Sequence, residues 1–404
     1  MRIIIPFSYY YPEQCAGIYV VDDMMRKAAS EGISSLLIVP TPTRNVPQDA
    51  KWFRNEEQYQ GLIKIHRYRM YQEGKNPVLR ALRYSLCELV QLHNLLWKDY
   101  DVAFIDSTPP IQGLKLPIVR LLRKKPVVYN AQDLFPETLS GTGLAKQGGL
   151  LWKIGMWVSN VTFRNSDKII AISNDIKRSM VARGVPAQKI EVVYNWVDEK
   201  VVQPVAKEDN PLFDEFGLDR SKFTIVYAGN LGNAQNIGIV LDGAKELPEV
   251  QFAVFGSGGL ENDVRKRISD EGLTNVHLNP LQPVERVKFV YSLGDACIVS
   301  CKEGLGGSAM PSKSWSIMSC GRPVIASFDE GELKEILENN NCGVFSHAGN
   351  VMEFVAAIKQ LATNKDKCEE MGKNARQFIL NNLTKEVGAK KYVDIIKSVV
   401  KVKN

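Results

Sequence analysis

No stretch of this chain approaches the ~20 consecutive apolar residues that a membrane-spanning helix needs, although 45% of its 404 residues are hydrophobic. None of its seven cysteines forms a CxxC pair, so a zinc ribbon or redox dithiol is not expected and ordinary reduced thiols are. Cys297 and Cys301 have three residues between them but no histidine nearby, which argues against a metal site. Histidine is scarce, and none of the four (His66, His93, His277, His347) lies in a glycine-rich loop. That weighs against chemistry built on a histidine proton carrier. The run GSGG is not GxGxxG, so a dinucleotide fingerprint is poorly supported. The opening MRIIIPFSYYYPEQ interrupts its apolar run too early for a signal peptide and reads as a first strand. A cytoplasmic protein is therefore expected.

What is present is charge of uneven distribution. The net charge of +6 divides into +8 over residues 1–200 and −2 over the remainder. The basic excess concentrates between Lys64 and Arg83, which includes Arg67 and Arg69, and in RLLRKK, Arg120 to Lys125. Such patches suit an anionic membrane surface or an anionic acceptor. Nucleic acid is disfavoured, because stacking aromatics are not interleaved with the basic residues.

Short β-branched runs alternate with helical patterns throughout. The first half reads as strands at 2–7, 34–40, 62–68, 101–107, 126–132, 168–173 and 189–195. The pattern restarts at 223–230, 250–256, 275–280, 296–300, 322–327 and 342–346. Near-continuous apolar strands imply burial on both faces, hence parallel sheets covered by helices. The expectation is an α/β protein of two Rossmann-like, doubly wound domains with a cleft between them. Their bounds are 1–195 and 223–383, with a polar linker at 196–222 and a final helix over 384–404.

Chemistry is expected in the loops after the strands. Gly229 and Asn230 follow one strand, Gly256 and Gly258 the next, and GLGGSAMPSKSWS, residues 304–316, follows ACIVS. Glycines after buried strands let a ligand approach the backbone, and free N–H groups at the next helix start suit phosphate. In the last loop Gly306 and Gly307 allow approach, Ser308 and Ser312 offer hydroxyls, and Lys313 supplies the positive charge. In the first half Gly17 opens a helix after the first strand, and AQDLFPE places Gln132, Asp133 and Glu137 at a strand end. Carboxylates there suit sugar hydroxyls or general-base work.

The blocks DLFPE, YAGNLGNAQ and PSK…GRPVIA, in that order, resemble the retaining nucleotide-sugar glycosyltransferases of family 4, of GT-B fold, and within them the WbuB-like branch of surface-polysaccharide assembly. The resemblance runs from about residue 130 to 380. It implies a UDP-sugar as donor substrate, no further cofactor and no metal. The implied acceptor, polyprenyl-linked or saccharide, would sit on the first domain near Gln132, Glu137, Arg67 and Arg69, at the inner face of the cell membrane. By position, Gly17 would face the donor phosphate, Asp133 the reacting sugar, and Leu281 the base; residues 196–204 would be a hinge. The family's usual glutamate pair falls on Ser308 and Ser316, its Arg and Lys on Asn230 and Gln235, and its His on Gln132. Lys313 is then the expected diphosphate cation, and Glu303 is a candidate replacement carboxylate. A nucleotide-sugar 2-epimerase and a non-catalytic nucleotide-sugar-binding subunit remain open as alternatives.

Overall fold

Ile3, Ile4 and Ile5 are all fully buried, as consecutive residues of a strand enclosed on both faces must be. They belong to β1 (Arg2–Pro6), the centre of an eight-stranded sheet. The computed structural model describes residues 1–13, 15, 17–44, 46, 47, 49–74, 76–137, 146–306 and 310–400. The chain divides into two units, Met1–Tyr194 with the segment from Glu386 onward, and Asn195–Lys385.

The first unit holds β1, β2 (Ser34–Pro40), β3 (Asn55–Gln58), β4 (Ile63–Tyr68), β5 (Val102–Asp106), β6 (Val127–Ala131), β7 (Lys168–Ala171) and β8 (Ile190–Val192), in the order β3-β4-β2-β1-β5-β6-β7-β8. Every pairing is parallel except β3 with β4. Sequence periodicity misses β3, because its residues NEEQ carry no apolar face. As an edge strand it has only one neighbour and needs none. Strand order reverses at β1, whose carboxyl end opens through Gly17, in left-handed backbone at φ 85°, into the helix Ile18–Ser30.

The helix Lys385–Ser398 closes this unit from Glu386 onward. Its Tyr392 is fully buried, with its ring 6.0 Å from that of Phe104. The hydroxyl donates to Asn130 Oδ1 at 2.9 Å and accepts from Gln132 Nε2 at 3.2 Å. Lys397 pairs with Glu31 at 3.0 Å, and Lys27 with Glu386.

The second unit is an all-parallel sheet of β9 (Thr224–Asn230), β10 (Gln251–Ser257), β11 (Val276–Asn279), β12 (Ala296–Ser300), β13 (Val324–Phe328) and β14 (Gly343–His347), ordered β11-β10-β9-β12-β13-β14. Its order reverses between β9 and β12, the place where doubly wound sheets open a crevice at their carboxyl ends. Residues 196–222 pack into this unit. The pair Leu212 and Phe213 is fully buried, and the Asn210 amide donates to the Phe289 carbonyl at 2.7 Å. A polar run thus conceals two core residues that its average composition hides.

Tyr392→Phe removes two hydrogen bonds from a buried site, taking a donor from Asn130 Oδ1 and an acceptor from Gln132 Nε2. Stability should fall by about 1–3 kcal/mol, read as a lowered thermal midpoint; an unchanged midpoint would mean the hydroxyl contributes nothing.

Candidate functional site at the carboxyl edge of the second sheet

Strands β9 and β10 stay in register to their last residues, with Gly256 beside Gly229 and Ser257 beside Asn230. The loops that follow therefore leave the sheet side by side. A Cβ on Gly256 would lie 2.7 Å from the Gly229 carbonyl oxygen, and one on Gly258 would lie 2.5 Å from Asn230 Oδ1. These two glycines make room for the neighbouring loop, which corrects the expectation that they make room for a ligand. Asn230 is held in turn, its Nδ2 donating to Gln235 Oε1 at 3.3 Å and its carbonyl accepting from the Tyr227 hydroxyl at 2.7 Å.

Gly229 differs. A Cβ there would meet not backbone but the ammonium of Lys313, 2.7 Å away. Lys313 begins the helix Lys313–Ser319 after β12, and its Nζ stands 4.8 Å from the centre of the Tyr227 ring. It has no hydrogen bond or ion pair among the described residues. Burial without a counter-charge pushes its ammonium down to about 8, since a low-dielectric setting disfavours the charged form. The ring face offers partial compensation. An unpaired, half-buried cation at the carboxyl end of a parallel sheet is a ready contact for an oxyanion.

The rest of the loop from Gly304 is committed differently than expected. The Asp329 carboxylate accepts the N–H of Gly304 at 3.1 Å and that of Gly306 at 2.7 Å. A Cβ on Gly306 would press on the Phe328 ring at 2.8 Å. The Gly306 amide is therefore already used, and this glycine packs against β13 rather than cradling an anion. Gly307 and Ser308 lie outside the described residues. Ser312 is exposed and makes no side-chain cap, its backbone already being helical at φ −58°. Ser316 is half-buried one turn inside the helix, while Glu303 and Leu281 are exposed.

On the first sheet's edge, Gln132 and the exposed Asp133 follow β6. Gln132 Nε2 donates to Asn130 Oδ1 at 3.1 Å, and its N–H donates to Ser107 Oγ at 3.1 Å. Beside them Asp106 accepts from Asn130 Nδ2 at 2.8 Å and from the Thr108 N–H at 3.1 Å. Its complete burial outweighs these bonds and raises the carboxyl to about 7. Glu137 forms an ion pair with Arg183, whose Nη1 also holds the Phe135 carbonyl at 3.0 Å. That pairing gives Glu137 a structural role in place of the expected acceptor contact. Arg67 is buried, donating to the Phe53 and Tyr11 carbonyls at 2.8 and 2.6 Å and pairing with Glu56, so it is not the solvated cation expected. Arg69 is exposed.

Arg83 is likewise buried, bonded to Tyr71 and Thr43, whereas Arg80 stays exposed and pairs with Glu73 at 3.2 Å. Tyr227, Asp329, Asp106 and Tyr392 went unread in the sequence. The signal for Asp106 and Asn130 was a polar residue at or next to the end of an otherwise apolar strand, as in VAFID and VVYNA.

The two units each match a glycosyltransferase family. Residues 19–201 match Glycosyltransferase Family 4, and residues 209–378 match Glycosyl transferases group 1. Neither match spans half of the chain; in order along it they mark a likeness to glycosyltransferases, and the fold is GT-B. Among curated relatives, it is 24% identical over 246 residues to the probable glycosyltransferase WbjE of Pseudomonas aeruginosa, covering 60% of this chain and 61% of that one. It is 28% identical over 254 residues to WcaI of Escherichia coli (strain K12), a provisionally assigned colanic acid biosynthesis glycosyl transferase, covering 60% and 62%. The match thus spans about three fifths of the length of these relatives, 61% and 62%. Among solved structures, Anabaena Alr3699/HepE in complex with UDP superposes with a TM-score of 0.73 at 16% identity, covering 98% of this chain and 100% of that one.

The unpartnered Lys313 ammonium opposes folding. Its pKa lies below that of the unfolded chain, so the penalty is full below pH 8 and vanishes as pH rises through the unfolded value of roughly 10.4. Lys313→Met should stabilise the free protein at pH 7 by about 1–3 kcal/mol, and the gain should disappear by about pH 10.5. A pH-independent difference in denaturant midpoints would contradict the assignment.

Proposed function

We propose that this protein is a retaining, metal-independent glycosyltransferase that moves a hexose, N-acetylated or not, from a UDP-sugar to a growing surface polysaccharide on a lipid-diphosphate carrier. The observation that carries this reading is the free Lys313 ammonium beside Gly229 at the crevice of the second sheet. Diphosphate is the part of such a donor that gains charge as the glycosidic bond breaks, and a preorganised cation there lowers the barrier. HepE, which shares the fold, was solved with UDP, and WcaI carries a polysaccharide assignment; both support the choice of donor and product class.

In the proposed transfer, the bond from the sugar's anomeric carbon to the β-phosphate oxygen breaks. The acceptor oxygen bonds that carbon on the same face, and the acceptor proton passes to the departing phosphate. Such a step asks the protein for positioning and charge stabilisation rather than a strong base. Asp133 is the proposed contact to sugar hydroxyls on the first unit.

Lys313→Ala should weaken UDP binding by at least about tenfold in calorimetry and lower transfer, whereas Lys313→Arg should retain a substantial part of both. Wild-type affinity should decline as pH rises through about 8, where the free ammonium loses its proton, and Lys313→Arg should lack that decline. UDP bound with no UDP released from any UDP-sugar plus extracted lipid acceptor would favour the non-catalytic subunit instead.

Peripheral binding to an anionic membrane is part of the proposal. Along the helix Pro77–Trp97, Leu82, Leu86, Leu89 and Trp97 are exposed at helical spacing. Leu121 and Leu122 on Leu116–Arg123, and Leu150, Ile154 and Trp157 on Leu150–Arg164, are exposed as well. Arg120, Lys124 and Lys153 lie on or next to those helices. Apolar side chains flanked by cations suit the headgroup layer of anionic lipid. No helix among the described residues is long and apolar enough to cross a membrane. Flotation should show binding to vesicles containing phosphatidylglycerol, weakened by salt and by Leu89→Asp with Trp157→Asp; equal recovery with neutral vesicles would remove the electrostatic part.

A further inference from the structure

The edge of the first sheet carries a cavity that neither Lys313 nor the apolar helices account for. Parallel pairing sets Val39 beside Arg67, and antiparallel pairing sets Asn55 beside His66. One step further, the Arg67 N–H donates to the Arg54 carbonyl at 2.8 Å. Trp52 and Arg54 precede β3, Arg67 lies near the end of β4 and Arg69 just beyond it. With Thr41 and Thr43 they line a cavity of about 400 Å³.

Its charge is unbalanced. Glu56 neutralises Arg67, but Arg54 and Arg69 are exposed and have no hydrogen bond or ion pair among the described residues. Glu13, buried nearby, is taken up by the N–H groups of Thr43, Arg44 and Tyr10 at 2.9, 2.9 and 3.2 Å. Arg67 is 1% exposed, and its Nε–H is buried without a partner. Trp52 is 40% exposed beside these guanidiniums. Protection of an edge strand would explain exposed cations, but it does not explain the indole beside them.

We infer that this cavity binds an acidic saccharide, with the oxyanion of a phosphate or carboxylate on Arg54 and Arg69 and the sugar ring against Trp52. Guanidinium forks match planar or tetrahedral oxyanions with paired hydrogen bonds, and an indole face covers the C–H face of a sugar. That this saccharide is the acceptor rests on the transferase reading; the binding itself does not.

The test is calorimetry on the full chain with its donor site saturated by UDP, using glucose, glucose 1-phosphate, glucuronate and inorganic phosphate as probes. Glucose 1-phosphate, glucuronate or both should bind at least about tenfold more tightly than glucose, with affinity falling as salt rises, and the two arms tell phosphate from carboxylate. Arg54→Gln with Arg69→Gln should abolish that preference while UDP affinity, measured on the same sample, stays within twofold as the check on folding. Trp52→Leu should weaken the sugar anions but not inorganic phosphate. Equal or absent binding of glucose and the anions overturns the inference, as does inorganic phosphate matching the sugar anions or a double variant that keeps the preference. Failure of wild type to bind UDP would instead sink the transferase reading and leave this site standing.

Discussion

Both sheets are apolar on both faces at their centres. Ile3 to Ile5 in one and Ile225, Val226, Phe252 and Val254 in the other are wholly removed from water. With about 25 cal/mol gained per Å² of apolar surface buried, such strands tolerate polar chemistry only at their ends. Parallel order sends every carboxyl end to one edge, so glycine turns, capping residues and charged side chains gather there. The placement of Lys313 and Asp133 beyond strand ends follows from that constraint.

Within that edge, electrostatics divides the loops by task. Asp329 consumes the amides of Gly304 and Gly306 and fixes the loop against β13. Gly256 and Gly258 fix the adjacent loops to each other. These are holding interactions, and they leave one cation unspent. Lys313 loses solvation without gaining a partner, a cost that makes sense if an anion arrives to offset it. The buried Asp106, with its carboxyl near 7, does comparable work on the first sheet, where it anchors Asn130 and through it Tyr392.

The fold was largely legible because strand burial writes itself into sequence as apolar runs of β-branched residues. The polar β3 was not, since an edge strand with one solvated side leaves no period to detect. Loop roles were only half legible. Lys313 could be singled out from its loop, but its neighbour Tyr227 lies 86 positions earlier in the numbering and belongs to β9. The Gly306 amide could not be known to be occupied, because its acceptor sits on the loop after β13. Charge counts misled most: Arg67 and Arg83 looked like surface cations, yet their long side chains bury to tie carbonyls together.

The central claim is that the diphosphate of a nucleotide-sugar donor completes Lys313. A crystal structure of the UDP complex tests it most directly. The account predicts a phosphate oxygen within hydrogen-bond distance of Lys313 Nζ, beside Gly229 and above the Tyr227 ring. A diphosphate seated elsewhere, with Lys313 still unpartnered, would contradict it.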